Sequence, residues 1–74
     1  MDLNIFSVRL KTLRSESKVS SASLASSVGV SRPAISQFEN AANAPSIDTL
    51  IALADYFDVS LDYLVGRSDD PARR

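Results

Sequence analysis

The chain of 74 residues contains no cysteine and no histidine. Without cysteine there is no disulfide framework and no thiolate chemistry. Without histidine the chain lacks the commonest general base, and only oxygen ligands remain for a metal ion. We therefore expect a protein that is not an enzyme, needs no cofactor and holds no metal.

Long apolar runs are also missing. No apolar run approaches the roughly 20 residues needed to span a bilayer, and the start Met1-Asp2-Leu3-Asn4 lacks the basic residues of a secretory signal. With 45% hydrophobic and 23% charged residues, the composition is that of an ordinary globular protein small enough for one domain. A cytoplasmic protein of a bacterium or a phage, with no membrane partner, is the simplest setting.

The charge is unevenly distributed along the chain, although the formal net charge is only −1. Residues 1–40 hold five basic and three acidic residues, a net charge of +2, whereas residues 41–74 hold three basic and six acidic residues, a net charge of −3. A basic half beside an acidic half is compatible with an oriented surface for a polyanion such as nucleic acid. Ordinary solvated faces explain the same charges, so the charge pattern alone leaves both interpretations open.

Apolar residues recur at helical spacing through most of the chain. Phe6, Leu10 and Leu13 stand at i, i+4 and i+7 and predict a first helix with one buried stripe. Ser20, Ser46 and Ser60 are placed to cap a second helix, a fourth helix and a short fifth helix, respectively. The inward stripe expected for the fourth helix consists of Ile47, Leu50, Ala54 and Phe57, widened by Ile51 and Leu53. We expect one domain over residues 1–66, followed over residues 67–74 by a frayed tail or the start of a linker.

The stretch from Ser21 to Asn40 is the most informative part of the chain. Its small and apolar residues have the spacing of two short helices crossing around a sharp turn. Gly29 can adopt the left-handed conformation that ends a helix, and Ser31 can cap the next one. The positions that carry this pattern are Leu24, Ala25, Val28, Gly29, Val30, Ile35 and Phe38. They predict a helix-turn-helix whose second helix spans residues 32–39.

In these positions the chain resembles the Cro and phage-repressor family of helix-turn-helix DNA-binding domains, and the resemblance covers roughly residues 4 to 67. It implies an all-α fold of five helices, with the second helix of the motif in the DNA major groove. It also implies a sequence-specific, double-stranded DNA-binding transcriptional regulator, a repressor, that acts as a homodimer on a palindromic operator. The alternative is a protein-interaction module on the same fold, such as an antitoxin or an antirepressor, with weakened DNA binding.

The outward face of the helix over residues 32–39 carries side chains suited to base recognition. A rotation of about 100° per residue places Ile35 and Phe38 on the inner side. The residues expected on the opposite side are Arg32, Pro33, Ser36, Gln37 and Asn40. Arginine can donate two hydrogen bonds to guanine, glutamine can pair with adenine, and a proline ring can contact a thymine methyl group. By resemblance, Arg32, Pro33 and Gln37 hold the base-reading positions, and Ser36 is a further candidate.

Phosphate contacts are expected at the two ends of the motif. Ser20 and Ser21 begin the second helix, where hydroxyl and backbone N–H groups can meet a phosphate oxygen. Asn40 follows the recognition helix and is the other candidate. The loop after it is uncharged, whereas family members often have glycine and a basic residue there. Because Ala41 replaces a glycine, we expect Asn40 itself to take the left-handed turn.

Two further assignments rest on the resemblance. Arg14 at the end of the first helix and Glu39 at the edge of the third are expected to form a partly buried, structural ion pair. Tyr63 and Val65 in the last helical segment are expected to supply the homodimer contact, because Leu61 and Leu64 already point toward the core.

Overall fold

The computed structural model describes residues 1–73, and the regular structure within them consists of five helices. These are α1 (Leu3–Glu16), α2 (Ser21–Val28), α3 (Arg32–Glu39), α4 (Ile47–Phe57) and α5 (Leu61–Leu64). The predicted all-α fold of five helices is therefore confirmed for this part of the chain. None of these helices is long and apolar enough to cross a membrane.

A side-chain oxygen caps the start of every helix. The hydroxyl groups of Ser20, Ser31, Ser46 and Ser60 each accept a hydrogen bond from the backbone N–H three residues later. The carboxylate of Asp2 does the same at the start of α1, where it accepts from two N–H groups. The first N–H groups of a helix have no partner within it, so these short side chains define where each helix begins. The four serine caps follow the sequence pattern, whereas the Asp2 cap was not anticipated.

The core lies where the five helices meet. The principal helix contacts link α1 to α3, α3 to α2, α2 to α4, α4 to α5, and α5 back to α1, so the helices form a closed ring. The largest fully buried side chains inside this ring are Phe6, Leu10, Leu24, Ile35, Leu53 and Leu64. At least one of them comes from each helix. The recognition helix is thus one wall of a shared core.

The apolar stripe expected for α4 is only partly correct. Leu50, Leu53 and Ala54 are buried as expected, but Ile47 is 63% exposed and Ile51 is 45% exposed. The physical reason is that the neighbouring helices cover only part of the circumference of α4. A helix packed against its neighbours buries one stripe, and Ile51 lies about 100° around the helix from the buried Leu50. The two isoleucines therefore form an exposed apolar edge of α4.

Residues 67–73, for which the sequence predicted a frayed tail or the start of a linker, make hydrogen bonds to the helices. The backbone N–H of Ser60 donates to the carbonyl oxygen of Pro71 at 2.9 Å. The guanidinium of Arg73 donates to the Asp55 carboxylate at 2.6 Å and to the Ala54 carbonyl oxygen at 3.3 Å. These polar contacts hold the segment without any large apolar side chain, which is why its composition did not predict them. Arg74, the last residue of the predicted tail, lies outside the described residues.

Candidate nucleic-acid interface

The turn between α2 and α3 sets the direction of the recognition helix. Gly29 adopts φ +77°, and the backbone N–H groups of Gly29 and Val30 both donate to the Ala25 carbonyl oxygen at 3.0 Å. A Cβ atom at Gly29 would meet no atom within 4 Å. The left-handed backbone, and not a lack of space, therefore favours glycine here.

The inner side of α3 is fixed by buried contacts. Ile35 is completely buried, and Phe38 packs edge-on against Phe6 of α1 with 6.1 Å between ring centroids. Edge-to-face packing at this distance is favourable for aromatic rings. The rotation of α3 about its own axis is therefore determined by core packing, which decides which side chains point outward.

An ion pair joins the end of α3 to α1. The Arg14 guanidinium donates to Glu39 from Nε to Oε2 at 2.6 Å and from Nη2 to Oε1 at 2.9 Å, while its Nη1 donates to the Val19 carbonyl oxygen at 3.0 Å. Hydrogen bonding to Glu39 raises the pKa of the Arg14 guanidinium above its usual value, although partial burial opposes this and the negative charge of Glu39 adds to it. Because folding raises this pKa, the positive charge of Arg14 is retained up to strongly alkaline pH, and the contribution that depends on it is lost only there.

The outer side of α3 is free of packing contacts with the core. The residues that the sequence placed there are all exposed: Arg32, Pro33, Ser36, Gln37 and, just beyond the helix, Asn40. Within residues 1–73, the Arg32 guanidinium makes no hydrogen bond or ion pair. The structure therefore brings the predicted base-contacting residues together on one accessible face, and their contacts with bases stay a prediction.

This two-helix geometry has a counterpart among known proteins. A family model described as helix-turn-helix matches residues 10–64 of the chain, which include all of α2, α3, α4 and α5. The chain belongs to this helix-turn-helix family. The match confirms the family resemblance recognised in the sequence.

Two related proteins support the assignment of the chain to the helix-turn-helix family. YobD of Bacillus subtilis, named as an uncharacterized HTH-type transcriptional regulator, is 36% identical over 63 residues, which are 85% of this chain and 56% of YobD. The repressor protein C2 of Salmonella phage P22 is 35% identical over 65 residues, which are 88% of this chain and 30% of C2. The chain thus spans about half the length of YobD and less than a third of C2.

A solved structure shows the same helix-turn-helix fold. The crystal structure of the P22 c2 repressor protein in complex with a synthetic operator superposes with a TM-score of 0.82 and 34% sequence identity. The match covers 86% of this chain and 97% of that one. The fold of the matched part of this chain is therefore the fold of the P22 c2 repressor in that structure.

The start of α2 is the first of the two predicted phosphate sites. Ser20 is exposed and Ser21 is half-buried in the first turn of the helix. The Ser20 hydroxyl accepts from the Ser23 N–H at 3.1 Å and donates to the Ser23 hydroxyl at 3.0 Å. Its hydrogen is already engaged, so the donors at this end of the motif are the backbone N–H groups of the first turn and the Ser21 hydroxyl.

The loop after α3 departs from the sequence expectation. Asn40 has φ −96°, an ordinary value, and Ala41 takes the left-handed conformation with φ +56°. The prediction that Asn40 would absorb the turn was wrong. The helical turn continues through Asn40, whose backbone N–H donates to the Ser36 carbonyl oxygen at 3.0 Å, and the chain closes one residue later, where the N–H of Ala42 donates to the Gln37 carbonyl oxygen. The reversal is thereby moved one residue on, and the Asn40 side chain stays exposed at the second predicted phosphate site.

Arg9 was missed by the sequence analysis as a structural residue. Its guanidinium donates to the carbonyl oxygens of Tyr63 and Ser68, the latter at 2.7 Å, and to the Asp69 carboxylate at 2.9 Å. It also lies over the Tyr63 ring, 4.1 Å from the centroid. Arg9 therefore holds α5 and the following segment against α1.

The predicted dimer residues are less exposed than expected. Tyr63 is half-buried beneath the Arg9 guanidinium, and Val65 is half-buried where it packs against the core. The large apolar side chains that are exposed lie elsewhere: Met1, Ile5, Val8, Ile47, Ile51 and Tyr56. Only part of Tyr63 and Val65 is thus accessible, and their role in assembly stays a prediction.

Proposed function

We propose that the chain is the DNA-binding domain of a transcriptional regulator, a repressor, that recognises duplex DNA with α3 in the major groove. The observation that carries this proposal is the division of α3, whose inner side is buried at Ile35 while Arg32 and Gln37 are exposed on the outer side. A helix held rigidly by one face can insert the other into the groove. Similarity to the operator-bound P22 c2 repressor supports this mode of binding.

Each exposed residue has a role in this proposal. Arg32 donates hydrogen bonds to base edges, and the Gln37 amide pairs with them. Ser36 adds a hydroxyl, and Pro33 offers an apolar surface to a thymine methyl group. Outside the groove, phosphate oxygens are bound at two places: the start of α2, at Ser20 and Ser21, and the Asn40 side chain. The phosphate contacts set the position of the domain, and the base contacts select the sequence.

The same proposal includes the symmetry of the protein–DNA complex and the place in the cell where the protein acts. A single domain of this size makes few contacts with DNA, so two copies bind together, related by a two-fold axis and joined through Tyr63 and Val65. Their operator is palindromic, with half-sites about 34 Å apart or a multiple of that distance. The role is binding and not catalysis, and the protein acts in the cytoplasm of a bacterial cell.

A protein-interaction module, such as an antitoxin or an antirepressor, is the second candidate. Two observations favour it: the loop over residues 41–46 carries no charge, and Ile47 and Ile51 form an exposed apolar edge on α4. Loss of basic loop residues weakens attraction to phosphate. The polar outer face of α3 supports the DNA-binding proposal more strongly.

Selection of bound sequences from a random duplex pool tests the proposed function. We expect the wild-type chain to enrich a palindromic consensus sequence. A gel shift with a duplex of that sequence then measures the binding. The matched control is the double variant Arg32→Ala/Gln37→Ala, which alters only exposed side chains and leaves the buried face of α3 intact. A wild-type chain that enriches no sequence, or a double variant that selects the same consensus equally well, would contradict the proposal and favour the interaction module.

A further inference from the structure

The loop after α3 folds back so that Asn43 reaches the recognition helix. The left-handed turn at Ala41 reverses the chain, and the backbone N–H of Ala42 donates to the Gln37 carbonyl oxygen at 2.9 Å. This places Asn43 beside the Gln37 side chain. Nδ2 of Asn43 then donates a hydrogen bond to Oε1 of Gln37 at 3.2 Å.

This hydrogen bond orients a side chain more than it stabilises the fold. Asn43 and Gln37 are both exposed, and a hydrogen bond in contact with water contributes little net stability. A glutamine side chain, however, has a donor and an acceptor at its end that exchange places by rotation of the amide. With Oε1 held by Asn43, the donor Nε2 is the end left free for another partner.

We propose that Asn43 is a positioning residue for sequence recognition, which fixes the Gln37 amide so that its donor faces the base edges. This inference rests on the proposed function. A donor presented to the major groove finds acceptors on guanine, adenine and thymine, whereas the edge of cytosine presents only its N4 donor. A donor at this position therefore disfavours a nearby cytosine, although Asn43 itself does not read a base.

Asn43→Asp reverses the orientation while preserving the size of the side chain. A carboxylate only accepts hydrogen bonds, so it binds Nε2 of Gln37 and turns Oε1 toward the groove. The acceptor then favours cytosine N4 over guanine. The new negative charge also weakens binding to every duplex, and Ala44→Asp is the matched control because it adds the same charge to the same exposed loop.

The experiment measures affinities for two duplexes that differ by guanine or cytosine at the position where Gln37→Ala loses its preference. We expect the wild type to prefer guanine, Asn43→Ala to reduce that preference several-fold, and Asn43→Asp to shift the guanine-to-cytosine ratio roughly tenfold or more toward cytosine. Ala44→Asp should lower both affinities equally. In a Gln37→Ala background, substitutions of Asn43 should leave the ratio unchanged.

The possible failures are distinguishable. If Gln37→Ala changes the ratio but neither substitution of Asn43 does, the orienting role of Asn43 is wrong and the DNA-binding proposal stands. If Asn43→Asp and Ala44→Asp have the same effect on both duplexes, charge alone explains the result and the inference is again overturned. If the wild type selects no sequence, the proposed function fails and this inference fails with it. Circular dichroism of each variant confirms that the helices are intact.

Discussion

Arg14 and Glu39 form a two-point ion pair that locks the end of the recognition helix to α1. The side chains are 24% and 9% exposed, so the pair is partly withdrawn from water. Parallel hydrogen bonds from a guanidinium to a carboxylate fix the relative angle of the two groups as well as their distance. Because Arg14 also binds the Val19 carbonyl oxygen, one side chain holds α1, the connection to α2 and the end of α3 together.

We expect Glu39→Ala to lower the free energy of unfolding by about 2 to 3 kcal/mol, since it leaves the Arg14 cation without its main acceptor. This loss is smaller than the loss expected for an ion pair that is fully shielded from water, because part of the Arg14 side chain is exposed. The double replacement Arg14→Met/Glu39→Leu should cost less than the sum of its single changes. Urea melts of the two single variants and the double variant measure this coupling, and additive effects would show that the pair does not act as a unit.

Arg9 supplies a second test of long-range structure. Arg9→Met keeps the apolar stem but removes the hydrogen bonds to Tyr63, Ser68 and Asp69. We expect a loss of about 1 to 3 kcal/mol in the free energy of unfolding and faster amide exchange in residues 67–70. Lys11→Met is the control, because Lys11 is an exposed cation on the same helix and its loss should change stability little. Equal melting temperatures for wild type and Arg9→Met would refute the structural role of Arg9.

Local features of this fold follow from the sequence. The serine caps at Ser20, Ser31, Ser46 and Ser60 and the turn at Gly29 depend on residues at most four positions away, so spacing alone predicts them. The outward face of α3 follows from helical periodicity in the same way. The Arg14 and Glu39 pair joins residues 25 positions apart, and it was expected from family resemblance and not from spacing.

Features that depend on distant or loop geometry were not predicted. Arg9 binds partners 54 to 60 positions away, and no local pattern indicates that a single arginine is used in this way. The bond between Asn43 and Gln37 needs a chain reversal at Ala41 that the sequence assigned to Asn40. Exposure of Ile51 depends on how far the neighbouring helices cover α4. In each case the missing information is the position of a second segment.

The left-handed Ala41 yields a prediction about stability. We expect Ala41→Gly to raise the free energy of unfolding by about 0.5 to 1 kcal/mol. Relief of the strained alanine contributes roughly 1 to 2 kcal/mol, and the greater freedom of glycine in the unfolded chain offsets part of it. Ala42→Gly is the matched control, because Ala42 does not have a positive φ and gains nothing. Thermal melts compare the two, and a loss of stability in Ala41→Gly would argue against the strained turn.

Arg32 and Gln37 test the assignment of base contacts. Each alanine variant should lose about 1 to 3 kcal/mol of binding free energy at the selected operator and should relax base preference at one or two positions per half-site. Asn40→Ala should instead weaken binding to all sequences alike, since a phosphate contact carries no sequence information. Competition gel shifts with operator variants separate the two patterns. Uniform weakening by Arg32→Ala would mean that this side chain binds only phosphate.

Assembly is tested at Val65, which is half-buried beside Tyr63 at the end of the short α5. If the accessible parts of these two side chains meet across a two-fold axis, a charge placed there disrupts the contact by desolvation and by repulsion from its own symmetry mate. We expect Val65→Lys to lower affinity for a full palindromic operator while leaving affinity for a single half-site unchanged. Val8→Lys, which adds the same charge at an exposed position of α1, should affect neither.

A thermal melt first establishes that Val65→Lys is folded, since part of this side chain packs on the core. Val65→Ala, which only shortens the side chain, provides a second and milder variant. Analytical ultracentrifugation of the wild type completes the test: a monomer at every concentration, together with wild-type affinity of both Val65 variants for the full operator, would place the dimer contact elsewhere.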